Sequence, residues 1–191
     1  MRLALLAAAV VLSACGTTTT NAYLAAGAEP LCAANGAALG VVAVLPETAW
    51  RADQKEPALR VAMAERAIAR AFQKLSCGSL AAPGGVRAFE RWSDRPEEET
   101  LRALAGAGVE TVVLLRIEEL TPRIGVTFSL PLLWTGASEA DFRIRVIHLP
   151  SRTVRLDARI QRATGGPFQL RPPEWAEEEL ERALERVVVG A

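Results

Sequence analysis

The sequence predicts an α/β fold of the α+β kind: one mixed sheet built as β-α-β-α-β, followed by antiparallel strands including a hairpin, and a C-terminal helix. Three observations predict it. In the first half, short apolar runs alternate with segments whose apolar residues recur every three and four positions. At residues 140–163 this gives way to two-residue alternation on both sides of a Pro-Ser-Arg turn. After Pro172-Pro173 the helical period returns. Strands joined through helices become parallel neighbours, and strands joined by a tight turn become antiparallel ones.

Residues 1–14 read as a signal segment. Arg2 supplies a positive start, residues 3–12 are apolar, and Leu12-Ser13-Ala14 leads into Cys15. The apolar run is too short to span a bilayer, as in a secretory signal peptide. A cysteine directly behind small residues resembles a bacterial lipoprotein signal, which implies that Cys15 is lipidated (palmitate being a typical acyl chain) and opens the mature chain. The alternative is an ordinary signal peptide with an incidental cysteine. Gly16, rather than Asp, after that cysteine matches outer-membrane sorting as it works in enteric bacteria. Residues 15–39 then carry the lipid and a tether. Residues 16–21, Gly-Thr-Thr-Thr-Thr-Asn, are short, polar and uncharged.

A single domain is expected over residues 40–191. Residues 41–45 (VVAVL) form a buried strand closed by Pro46. Residues 56–75 form a helix with Val61, Ala64, Ile68, Phe72 and Leu75 inward and Arg60, Glu65, Arg66, Arg70 and Lys74 outward. Pro57 suits its first turn and Gly78 its stop. Residues 86–92 alternate weakly as a second strand. Glu97, Glu98 and Glu99 open a second helix, with Leu101, Leu104 and Ala105 inward and Gly106 and Gly108 ending it. Residues 111–120 are the clearest strand. Residues 123–134 (RIGVTFSLPLLW) are apolar but contain Pro131, which implies an edge strand or a strand running into a loop. In the hairpin, Phe142, Ile144, Val146 and His148 alternate with Arg143, Arg145 and Ile147. On the return, Val154, Leu156, Ala158 and Ile160 alternate with Arg155, Asp157, Arg159 and Gln161. Gly165-Gly166-Pro167 breaks the strand. The last helix turns Ala176, Leu180, Leu184 and Val187 inward.

The composition narrows the function classes. The chain has 191 residues, 50% of them hydrophobic, and 22 basic side chains balance 22 acidic ones. That balance argues against nucleic-acid binding, which requires excess Lys and Arg. No second apolar run approaches the roughly 20 residues of a membrane helix, so membrane attachment would rest on the lipid at Cys15. Export places Cys32 and Cys77 in an oxidising compartment. A helix returning from its strand brings both cysteines to one edge of the sheet, so a disulfide is expected. Two free buried thiols are the alternative.

The runs VVAVLPE, VRAFERWSD, LRALAGAGVETVVLLRIEEL and DFRIRVIHLPSRTVRLDARI together resemble one family of periplasmic lipoproteins. The group includes the curli secretion channel subunit, the lipoprotein activator of penicillin-binding proteins and a ring-forming exopolysaccharide export lipoprotein. Its shared domain is similar to the amino-terminal domain of TolB. The resemblance spans residues 40–190 and implies docking or assembly rather than catalysis. The turn at 149–153, Leu-Pro-Ser-Arg-Thr, departs from the family pattern by lacking an Asp and a Gly.

The chain is poor in catalytic material. His148 is its one histidine, so a site with two or three histidines is impossible within one chain. Ser151 and Asp157 lie near it in sequence, and an envelope hydrolase using His148 is one alternative reading. Glu118-Glu119 reads as solvated charge, and Glu177-Glu178-Glu179 as helix-start acids. Neither glycine pair has phosphate-loop spacing. No cofactor and no metal are expected. The strongest surface candidate is Phe128, Leu130, Leu132, Leu133 and Trp134, either a partner-docking or membrane-touching segment or simply part of the core. Trp50 and Trp92 either join that surface or cap the core. The expected function is a non-enzymatic, lipid-anchored docking component on the periplasmic face of the outer membrane. Its partner is an envelope protein or further copies of itself. A small-ligand binder ranks last, because the sequence shows no convergent polar cluster.

Overall fold

The computed structural model describes residues 17–24, 31–32, 38–50, 55–81, 97–127, 133–167 and 172–189. They form one mixed sheet with helices on both faces. The strands are β1 (Thr17–Leu24), β2 (Gly40–Thr48), β3 (Gly78–Leu80), β4 (Thr111–Thr127), β5 (Leu133–His148) and β6 (Thr153–Pro167). The helices are α1 (Pro57–Gln73), α2 (Glu97–Gly106) and α3 (Glu174–Val189). The six strands lie in the order β1-β6-β5-β4-β2-β3. β2 pairs in parallel with β3 and β4, and the pairs β4–β5, β5–β6 and β1–β6 are antiparallel. The expected mixed sheet and C-terminal helix are therefore present.

Residue alternation sorts the core onto two faces. Val42 and Val44 of β2, Val113, Leu115 and Ile117 of β4, and Phe142, Ile144 and Val146 of β5 meet α1 and α3. α1 contributes Met63, Ala64, Ala67, Ile68, Ala71 and Phe72, and α3 contributes Ala176, Leu180, Ala183, Leu184 and Val188. Trp50 packs against this core as a cap. Ala43 and Leu45 of β2, Val112 of β4 and Ile147 of β5 turn the other way, toward Leu101 and Leu104 of α2. Both faces of β2 are apolar because both are covered.

Several expectations are corrected. The tether over 16–21 is largely a strand: Thr17 to Leu24 pair with Gly165 to Ala158 of β6, with hydroxyls at the join such as Thr18 Oγ1 to Thr164 Oγ1 at 2.9 Å. An uncharged threonine run satisfies its backbone on an open sheet edge better than in water alone, since Thr favours strands. Gly165 and Gly166 do not break β6; they lie inside it. A Cβ on Gly165 would come within 2.3 Å of the Gly136 carbonyl oxygen, so the residue there must be glycine for β5 and β6 to approach. The apolar run 123–134 is not one strand. Its start ends β4 and its last two residues open β5, paired as Val126↔Trp134 and Thr127↔Leu133. The expected strand at 86–92 lies outside the described residues, and β3 sits instead directly after Cys77.

Two bulges re-aim side chains. Ile117 faces Phe142 and Glu119 faces Asp141, so Glu118 is the extra residue. Glu119 is buried rather than solvated, 3.7 Å from the Arg60 guanidinium. Arg60, expected to face outward, donates to the Leu120 carbonyl and to Thr121 Oγ1. On β6, Leu156 faces Val146 but Val154 faces Ile147. Arg155 is thus skipped, and Val154 moves off the face where simple alternation put it.

Candidate functional site

The end of the sheet nearest Cys15 is defined by register. Cys15 itself lies outside the described residues. Thr17 pairs with Gly165, Gly165 with Ala137, and Ala137 with Arg123. The β4–β5 pair continues beyond that row to Thr127↔Leu133. The start of β1 and the far end of the β4–β5 pair therefore leave the sheet on the same side. Leu133 and Trp134 open β5 there. Phe128, Leu130 and Leu132 lie outside the described residues, as does Trp92.

Cys32 and Cys77 form a disulfide, with Cα atoms 5.4 Å apart. Their surroundings give the bond a structural job. Leu31 and Cys32 donate backbone hydrogen bonds to the carbonyls of Val187 and Val188 at 3.0 and 2.9 Å, and Leu39 donates to the Cys77 carbonyl at 2.8 Å. The bridge thus gathers residues 31–32, the last turn of α3 and the approaches to β2 and β3 at one point.

Charged side chains expected on the outer face of α1 meet acids of α3. Arg66 bonds Glu177 at 2.6 Å, and Arg70 bonds Glu177 and Glu181 at 2.5 and 2.6 Å. Lys74 reaches Glu181 at 3.3 Å and also pairs with Glu185. Burial pushes the Glu177 carboxyl up, but the hydrogen bonds and charges of Arg66 and Arg70 more than offset this, and it lies below the ordinary value. Glu181 is lowered in the same way: burial raises it, and Arg70 and Lys74 overcome that. Glu179 is a further departure from a simple helix-start acid. It is 2% exposed and pairs with Arg162 of β6, whose Nη1 donates to Thr20 of β1 at 3.0 Å.

The hydrolase reading depended on His148. His148 Nδ1 and Ser151 Oγ are 2.7 Å apart, and Ser151 Oγ is 2.7 Å from Thr153 Oγ1. Asp157, near it in sequence, does not complete a triad. It accepts two bonds from Arg143 at 2.9 and 2.8 Å, and that arginine holds its carboxyl below the usual value. The contacts of Ser151 with His148 and Thr153 tie the hairpin turn together. Among the described residues, no group of three or more His, Cys, Asp or Glu is placed to hold a metal ion.

One cleft combines apolar and charged walls. It lies between α2 and the β5–β6 hairpin and has a volume of about 240 Å³. Leu101 of α2 and Ile147, Leu149 and Val154 of the hairpin supply apolar surface. Arg102, Arg145, Arg152 and Glu98 supply the charge. Glu98 sits 3.4 Å from Arg102 and 3.3 Å from Arg152. Sequence reading missed this cluster because its members are 54 residues apart along the chain, from Glu98 to Arg152, and only the crossing of α2 over the hairpin unites them.

No family model matches the chain, and no curated protein matches it. Among solved structures it is similar to a PelC dodecamer from Paraburkholderia phytofirmans, with 13% identity, TM-score 0.46, and coverage of 91% of this chain and 97% of that one. It is similar to the lipoprotein GNA1162 from Neisseria meningitidis, with 7% identity, TM-score 0.44, and coverage of 80% and 99%. A third is the protein CT253 from Chlamydia trachomatis, with 18% identity, TM-score 0.41, and coverage of 78% and 90%. Likeness at this level carries no function from one protein to another.

Proposed function

We propose that this chain is a bacterial envelope lipoprotein, anchored to the outer membrane through lipid on Cys15 and facing the periplasm. There it acts as a non-enzymatic docking or assembly component. The observation that carries the reading is the Leu12-Ser13-Ala14-Cys15 sequence behind a positively charged, short apolar segment. The Cys32–Cys77 disulfide supports it, because such bonds persist in oxidising compartments. The balance of 22 basic and 22 acidic side chains leaves attachment to the lipid rather than to broad electrostatic attraction. Arg143 engages the Asp157 carboxylate with two hydrogen bonds, which supports a structural role for that residue over a hydrolytic one.

The anchor is tested by expressing the full chain with labelled palmitate and measuring the intact mass. The expected product begins at Cys15 and carries acyl chains, and Cys15→Ser loses both label and membrane fractionation. An unacylated product retaining residues 1–14 overturns the reading. Crosslinking in the native host tests the docking role. Native mass measurement in detergent separates a ring of copies from a monomer that binds another protein.

A further inference from the structure

We infer that the free edge of β1 is the surface on which this chain pairs with a second copy of itself, the two β1 strands running antiparallel across a two-fold axis. The strength of that pairing, though not its geometry, rests on the membrane anchoring proposed above. β1 ends the sheet: it pairs with β6 and with no other described strand. In such a strand every second residue turns its N–H and C=O away from the sheet, as a template for another chain. Folded proteins guard an edge by shortness, charge, proline or a bulge. β3, at the opposite edge, is guarded by its three-residue length. β1 has none of these guards. It runs for eight residues, TTTTNAYL, in unbroken register with β6, and no charged side chain lies between Arg2 and Glu29. Thr17, Thr18, Thr19, Asn21, Ala22 and Tyr23 are exposed, Tyr23 to 67%.

Three features select a second copy over a foreign strand. A strand without charge gives a foreign peptide nothing electrostatic to recognise, yet it meets itself without repulsion. Its threonines favour extended backbone and pair across strands, as Thr18 does with Thr164 at 2.9 Å. The anchor at Cys15, just ahead of Thr17, holds the strands of neighbouring copies at one bilayer surface, where their local concentration exceeds that of any soluble partner. A two-fold axis perpendicular to the sheet keeps each face with its like, so paired residues share a face. Thr19, Asn21 and Tyr23 lie on the face of Gln161 and Arg159, turned from Ile160 and the core. Pairing centred on Thr20 sets Thr17 opposite Tyr23 and Thr19 opposite Asn21. Pairing centred on Asn21 sets Thr19 opposite Tyr23. Either register separates the two Thr17 residues by roughly 20–27 Å along the strands, so both anchors enter one bilayer when β1 lies along its surface. Each copy has one such edge among its described strands, so the assembly closes at two.

The test is photocrosslinking of the full-length chain with benzoylphenylalanine in place of Tyr23, using equal amounts of isotope-labelled and unlabelled protein. It is run in detergent and in vesicles of phosphatidylethanolamine and phosphatidylglycerol. Mixed-isotope dimers linked from position 23 of one copy to residues 17–19 of the other are expected. Thr19→Lys with Asn21→Lys sets lysines against one another across the axis and should cut the dimer yield about tenfold, as a few like-charge contacts would. Thermal unfolding should stay that of the parent, because both side chains are exposed. Mixing this variant with Thr19→Glu, Asn21→Glu copies should restore the dimers through Lys–Glu pairs. Links that never reach residues 17–19, a lysine variant that dimerises like the parent, or links in the native host from position 23 to another protein in place of a second copy each overturn the inference. Intact mass of the same samples keeps the two readings apart. An unacylated chain that still links through residues 17–19 overturns the anchor and keeps the strand pair, and an acylated chain without those links does the reverse.

Discussion

Breaking the Cys32–Cys77 bridge should destabilise the domain strongly but locally. The two cysteines are 45 residues apart in sequence. In the chain-entropy model a loop of that length costs the cross-linked unfolded chain about 4 kcal/mol of freedom, which the bridge returns as stability. For a domain of this size 1 kcal/mol moves Tm by about 2–4 °C, so the full effect is roughly 8–16 °C. The perturbation is Cys32→Ala with Cys77→Ala, and chemical reduction of the parent in parallel. The assay is thermal unfolding by circular dichroism, with hydrogen exchange read at Leu31 and Cys32. Those amides bond the carbonyls of Val187 and Val188, so they should lose protection before the β4–β5 pair does. A reduced protein whose Tm falls by less than about 2 °C would refute the reasoning. So would two alkylatable thiols in the unreduced protein.

Further predictions concern caps and buried charge. After α2, the Val109 amide bonds the Leu104 carbonyl and the Gly108 amide bonds that of Ala105, both at 3.1 Å, with Gly108 at φ 79. Gly108→Ala should therefore cost about 1 kcal/mol, while Gly106→Ala, whose Cβ meets nothing within 4 Å, should gain up to about 1 kcal/mol in thermal unfolding. Because the folded-state carboxyls of Glu177 and Glu181 are lowered, their contribution is present above the unfolded value near pH ~4.3 and fades as pH falls through the folded one. Glu177→Gln should remove about 1 kcal/mol at pH 7 and flatten the acid limb of a stability–pH curve, the exposed arginines limiting the gain. Glu179→Ala strands the buried Arg162 and should cost about 3–5 kcal/mol in denaturant melts, and Arg162→Met added to it should recover most of that.

Burial patterns were readable where propensity and environment agree. The alternations around Phe142, Ile144 and Val146, and the three-four spacing of Ala64, Ile68 and Phe72, each place a core face correctly. What escaped reading depends on partners distant in sequence. The threonines of β1 look like a tether until β6 offers them an edge. Glu177 and Glu179 look like dipole partners until Arg66, Arg70 and Arg162 arrive from other elements. Bulges are invisible to a two-residue period, so Val154 and Glu119 were assigned to the wrong surroundings. The disulfide was readable because the topology of a strand and its returning helix limits where Cys32 and Cys77 can go.

The uneven covering of the sheet explains why the cleft is where it is. One face carries α1 and α3, of 17 and 16 residues, and the other carries α2, of 10. At 1.5 Å per residue α2 is about 15 Å long, far shorter than β5 with 16 residues at about 3.3 Å each. Beyond α2 the second face must satisfy itself with charge. Arg143 lies directly opposite Arg159 in register, an unfavourable pairing taken alone. Each arginine instead reaches a diagonal acid: Arg143 takes Asp157, and Arg159 takes Asp141 at 3.1 and 2.9 Å. Asp157, directly across from Arg145, also lies 4.0 Å from its guanidinium. Arg145 sits where this charge lattice meets the apolar contact of α2, with Ile147 and Leu149 on its other side. The same short helix that leaves the face open thus leaves a cleft at its edge, walled by paired charges on one side and apolar side chains on the other.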